Sequence, residues 1–220
     1  MRIKRVLLCV LVLFAVAQVT QANAVKEVVL NQTQGVTATY TSADGTVHWQ
    51  GGSSGFLLFD DMSIKTFTDA YVLAEAWNAV DNSSGGWADA VFTGGGTFSV
   101  TLADTGNTGA SFSITADISA YRETETGLGN ELDGSGSLVN LTSSFGTGWF
   151  GGSVTTVGWA GGTGGLLDID TTLPITPGFG SYGEDYSTQN SIVTLVVPEP
   201  TTICLLGSGL VLLLRKRRKV

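Results

Sequence analysis

Apolar and polar residues alternate with period two in short stretches from residue 25 to residue 197. Period two puts successive side chains on opposite faces of a strand. Residues 36–41 read Val-Thr-Ala-Thr-Tyr-Thr, and residues 97–102 place Phe98, Val100 and Leu102 on one face. Residues 111–115 repeat the pattern with Phe112 and Ile114. The alternation weakens over 137–141, where Leu138 and Val139 are adjacent, and residues 192–197 are almost wholly apolar, as a buried last strand would be. Glycine clusters separate these stretches: Gly51-Gly52-Ser53-Ser54-Gly55, residues 82–86, Gly94-Gly95-Gly96, Gly134-Ser135-Gly136 and residues 161–165. Each cluster predicts a turn or loop. Many short strands with glycine-rich turns predict an all-β fold, a jelly-roll-like β-sandwich. Residues 69–80 carry two patterns. Ala70, Leu73, Ala74, Ala76 and Ala79 behind Asp69 suit a capped helix, whereas Tyr71, Leu73, Glu75 and Trp77 alternate. The neighbouring strands favour the strand reading.

The two ends depart from this pattern. Met1 to Arg5 is basic, residues 6–17 are apolar, and Ala22-Asn23-Ala24 offers the small residues that signal peptidase reads. The expected cut follows Ala24, and Ala15-Val16-Ala17 fits an earlier one. At the other end, Val197-Pro198-Glu199-Pro200 precedes a mainly apolar stretch, residues 201–214, and then Arg215, Lys216, Arg217, Arg218 and Lys219. Pro200 suits the first turn of a helix, where its missing N–H leaves no bond unmade. Fourteen helical residues span about 21 Å against a hydrocarbon core of about 30 Å. Snorkelling cations and local thinning cover the difference, and the cations stay cytoplasmic. The expected organisation is a leader (1–24), an ectodomain (25–197) and a C-terminal transmembrane segment (198–220).

The succession of Pro-Glu-Pro, short apolar helix and terminal basic cluster resembles the PEP-CTERM sorting signal of exported bacterial proteins. The resemblance implies that an exosortase, a membrane-embedded cysteine protease or transpeptidase, is a partner and acts near Pro198, Glu199 and Pro200. It implies an inner-membrane-anchored precursor, delivered afterwards to the cell envelope or the extracellular matrix. Proteins bearing the signal are usually linked to exopolysaccharide and biofilm.

Charge sharpens the division. Of 11 Lys and Arg residues, only Lys26, Lys65 and Arg122 lie between the two ends, against 18 acidic residues there. The acidic middle and a pI of about 4.4 exclude nucleic acid as the main partner. Cys9 and Cys204 fall in the end segments, so the ectodomain folds without disulfides. His48 is the lone histidine, which disfavours a Ser-His-Asp triad and a zinc site. It reads as a half-buried strand residue. Acids pair at Asp60-Asp61, Glu123 with Glu125, Asp168 with Asp170, and Glu184-Asp185. Asp168 and Asp170 share a strand face and are the candidates for Ca²⁺, although no EF-hand loop supports them. The plainer reading is an acidic surface with no cofactor. Trp87, Trp149 and Trp159 are the candidate sugar-stacking residues, with core filling as the competing role. Together these features predict an exported, non-enzymatic envelope or matrix protein. A carbohydrate-binding module for matrix polysaccharide is the alternative, and a secreted glycoside hydrolase the third.

Overall fold

In the computed structural model, which describes residues 24–31, 35–85, 87–126, 131–151, 157–172 and 185–197, the alternating stretches form strands. They are β1 (Ala24–Asn31), β2 (Val36–Thr41), β3 (Thr46–Phe59), β4 (Ile64–Ala76), β5 (Ala79–Asp81) and β6 (Asp89–Phe92). The others are β7 (Gly96–Leu102), β8 (Phe112–Glu125), β9 (Glu131–Phe145), β10 (Gly158–Trp159), β11 (Gly165–Thr172) and β12 (Tyr186–Val196). A 3-10 helix occupies Thr147–Phe150. Of residues 69–80, 69–76 lie in β4 and 79–80 in β5, strand as the alternation predicts, with Trp77 and Asn78 between the two. Asp69 caps no helix; it sits in β4 with φ of 64°.

The strands pair antiparallel in the order β1-β12-β11-β9-β8-β7-β4-β3, and β3 pairs back onto β1. The result is a closed eight-stranded barrel. β2 continues the line of β1, pairing with the first halves of β3 and β12 as β1 pairs with their second halves. β6 and β7 follow one another along β8 in the same way. β10 adds a short parallel pairing to the start of β1.

Closure replaces the expected sandwich for a local reason. Two glycine clusters read as loops are strand interior. Gly51 to Gly55 lie within β3, where its partner changes from β2 to β1. There a Cβ on Gly55 would run into the Val29 carbonyl oxygen, so only glycine lets the seam close. Gly134 and Gly136 lie within β9 beneath the Tyr121 ring. With these strands unbroken, β3, β8 and β9 are 14, 14 and 15 residues long and wrap the barrel. Closure also satisfies the edges that a sandwich leaves open.

Inward side chains fill the barrel. At the rim where β1 begins and β12 ends, here the proximal rim, Phe59, Phe67, Phe112, Phe145 and Trp149 pack together. Ring centroids are 5.1 Å apart for Phe67–Phe112 and 6.2 Å for Phe112–Trp149. Near the distal rim lie Trp49, Phe92, Tyr121, Tyr186 and Tyr40, all buried. Among the described residues no helix is long and apolar enough to cross a membrane. Ala22, the leader, and the C-terminal segment from Pro198 onward, with its expected transmembrane helix, lie outside the described residues.

Candidate functional site

The described residues begin and end on neighbouring strands at the proximal rim. β1 pairs with β12 through Glu27 and Val196, and the Val197 N–H donates to the Lys26 carbonyl at 2.8 Å. Ala24 is already in the sheet. It is buried, it pairs with Gly158, and its carbonyl accepts the Asp60 N–H at 2.9 Å. A leader cut after Ala24 therefore removes the first residue of the sheet, whereas a cut after Ala17 keeps it. Pro198, Glu199, Pro200 and the basic residues Arg215, Lys216, Arg217, Arg218 and Lys219 follow beyond the described residues, immediately after this anchored edge.

On the outer wall, Asp168 and Asp170 do share a face, and the fold adds a third acid to them. Asp170 lies directly opposite Asp133 in the β11–β9 ladder, and one carboxylate oxygen from each of the three falls within 4.8 Å of the others. Partial burial, then neighbouring acids, raise the pKa of Asp168 and Asp170. Three hard oxygen donors this close could serve a Ca²⁺ ion, which takes six to eight in all. Sequence spacing missed Asp133, because only strand pairing brings it there. The other paired acids are held in different ways, and Glu184 lies outside the described residues. Asp61 accepts the Ser63 N–H at 2.8 Å, and Asp185 accepts from the Ser42 N–H and hydroxyl. Glu125 accepts the Ala88 N–H, while Glu123 points inward.

Glu123 is the surprise of the interior. Its side chain has no exposed surface. The Tyr121 hydroxyl donates to Oε1 at 3.0 Å and the Tyr186 hydroxyl to Oε2 at 3.1 Å. Burial raises its pKa to about 7, against the pull of the two tyrosine hydrogen bonds. Burial and the Glu123 charge push both tyrosines well above their ordinary range, so both stay protonated donors. Tyr121 meets Trp49 edge-on at 5.0 Å, and Tyr186 stacks on Tyr40 at 5.7 Å. Trp49 Nε1 is buried without a hydrogen-bond partner among the described residues. The cluster is a polar plug near the distal rim, closed off from the outside.

The tryptophans and the histidine take clear positions. Trp149 and Trp159 are 7% exposed, and their indole N–H groups donate to the carbonyls of Ser111 and Gly164. They fill the core and present no stacking face, contrary to the sugar-binding expectation. Trp87, 49% exposed, keeps that capacity. His48 lies on the outer face of β3, about half exposed, with Nδ1 3.2 Å from Glu75. A shallow depression of about 300 Å³ on the wall is lined by Leu73, Thr97, Ser99, Thr115, Asp117 and Asn140.

No curated protein and no solved structure matches the chain. The PEP-CTERM protein-sorting motif matches residues 196–219, starting on the last residue of β12. That motif implies export and a membrane-anchored precursor processed by an exosortase, and the chain carries it directly behind a closed β-barrel.

Proposed function

We propose that the protein is a non-enzymatic barrel that exosortase processing delivers to the cell envelope or the extracellular matrix. The observation that carries this reading is the sorting motif joined without a spacer to β12. Cleavage near Pro198-Glu199-Pro200 would leave the Val197–Lys26 bond and the whole barrel intact. The interior supports a structural role. Its largest side chains are fully buried, and the one buried carboxylate among the described residues is held by two tyrosines rather than facing a cleft. The acidic surface keeps the exported body soluble. The test is processing in the native host. Glu199→Ala, and separately removal of residues 215–219, should leave full-length protein in the membrane fraction. Normal processing of both variants would refute the assignment.

A second reading, binding of matrix polysaccharide, draws on the wall depression and on Trp87. Hydroxyl, carboxylate and carboxamide groups beside Leu73 and the exposed Tyr71 suit a sugar ring's polar edges and apolar face. A glycan array probed with the released protein separates the readings. Retention that Trp87→Ala or Asp117→Ala abolishes supports the second, and no retained glycan removes it.

A further inference from the structure

The outer wall of the barrel is uneven. Over β7 and β8 it is built of Thr97, Ser99, Thr101, Ser113 and Thr115. At the proximal rim it changes character, and strand register shows how. Ile64 lies opposite Leu58, Leu58 opposite Glu27, Glu27 opposite Val196, and Val196 opposite Leu166. Directly paired residues project from the same face, and the inward positions beside them (Leu57, Val28, Leu195 and Leu167) are buried. The five therefore form one outward row across β4, β3, β1, β12 and β11, apolar except at Glu27. Ile64 is 57% exposed and Leu166 45%. One row further from the rim, Phe56 and Val29 continue the apolar surface, and then it gives way to Thr194 and Asp168. Met62, exposed at the β3–β4 turn with φ of 66°, extends the apolar surface to the rim itself.

We infer that this row rests on the lipid interface of the membrane that anchors the precursor. Continuity argues for lipid as the occupant. Val196 is a member of the row, and only Val197 and the three residues of Pro198-Glu199-Pro200 separate it from the apolar stretch at 201–214. Four extended residues reach at most about 14 Å, no more than about two headgroup layers of roughly 5–8 Å each. The rim is thus held at the bilayer surface whenever the C-terminal segment is inserted. A short tether also makes the local lipid concentration high, so even weak apolar contact is occupied. The charges fix the depth. Glu27, Asp60 and Asp61 at this rim oppose sinking into hydrocarbon. Lys26 lies at the same rim and suits lipid phosphates, whereas Lys65, opposite the inward Leu57, holds its ammonium 5.8 Å from the Phe150 ring centroid. Asp168, two residues further along β11 than Leu166 and about 7 Å from it, marks where the apolar surface ends on that strand. This placement rests on the anchored-precursor reading. It adds that the barrel lies against the membrane before processing and loses that contact when the tether is cut.

The experiment uses the full chain in vesicles of phosphatidylethanolamine and phosphatidylglycerol containing a doxyl-labelled quencher lipid. A polarity-sensitive fluorophore is attached to one cysteine at a time. The positions are native Cys204 in a Cys9→Ser background, and Ile64→Cys, Leu166→Cys and Val80→Cys in a Cys9→Ser, Cys204→Ser background. Val80, on β5 at the distal rim, is 46% exposed and serves as the matched apolar control. Docking predicts lipid quenching at 204, 64 and 166, with a solvent-like signal at 80. Quenching at 204 with 64 and 166 indistinguishable from 80 overturns the docking and leaves the anchor standing. A solvent-like signal at 204 overturns the anchor and the docking with it. Shielding at 64 and 166 without lipid quenching reveals contact between barrels and overturns the lipid assignment.

Discussion

Glu123 decides how the fold responds to pH. An unfolded glutamate titrates near its ordinary value of 4.5, while in the barrel burial holds the group protonated up to about pH 7. The folded state therefore binds more protons than the unfolded one between these values, and stability falls as pH rises through that window. The full effect is about 3 kcal/mol, complete above pH 7 and absent below about 4.5. Asp168 and Asp170, also raised, act in the same direction. Denaturant melts across pH 4 to 8 should show the decline. In Glu123→Gln the amide can still serve both tyrosines, so most of the decline should vanish while stability at pH 4 changes little. A slope equal to that of the unaltered protein would assign the effect to the wall acids instead. Gly134 tests the same cluster sterically. A Cβ there collides with the Tyr121 hydroxyl, so Gly134→Ala should displace that donor and cost roughly 2–4 kcal/mol.

Strand by strand, period two is readable until a bulge shifts its phase, and the errors of sequence reading fall at those bulges. In β8, Phe112, Ile114, Ala116 and Ile118 point inward; the register then slips between Ile118 and Ala120, and Tyr121 and Glu123 become the inward pair. Strict alternation from Phe112 puts Glu123 outside, which is why it reads as half of a surface acid pair. In β9 the adjacent Leu138 and Val139 split, one inward and one outward, and Asn140 at φ of 53° then shifts the phase so that Leu141 turns inward. Asn140 Nδ2 donates to Asp117 at 2.7 Å, so the side chain that tolerates this backbone also anchors it. In β4 the shift falls at Asp69. These positive-φ positions carry a prediction. Asn140→Val puts a β-branched residue in the left-handed region and removes the bond to Asp117, at a cost of roughly 2–3 kcal/mol. Asp69→Gly relieves strain and should leave stability within about 1 kcal/mol of the parent. Chemical denaturation of the two variants checks the contrast, and equal losses would refute the strain argument.

Across the whole molecule, legibility depends on how far apart in sequence the determinants lie. The leader and the sorting segment are contiguous runs, so composition and order reveal them. Closure depends on β1 meeting β3 on one side and β12 on the other, and β12 begins 155 residues after β1 ends. No local pattern encodes that meeting, so the same strands are compatible with a sandwich until the ladder is seen. The glycine in the seam is its one local trace, and it was hidden because glycine clusters also mark turns. If the seam is what makes the fold a barrel, opening it should do more than subtract stability. Gly55→Val drives side-chain atoms into the Val29 carbonyl and forces β3 from β1. That frees two strand edges at once, and free edges recruit other chains. The expected outcome is a protein that elutes as oligomers or precipitates, not merely a monomer with a lower midpoint. Gly162→Ala is the control. Gly162 also has positive φ, 66°, but nothing lies within 4 Å of a Cβ there. It should remain monomeric and lose only about 1 kcal/mol. Size-exclusion chromatography with light scattering distinguishes the two, and a monomeric Gly55→Val of near-parental stability would show that closure does not depend on this seam.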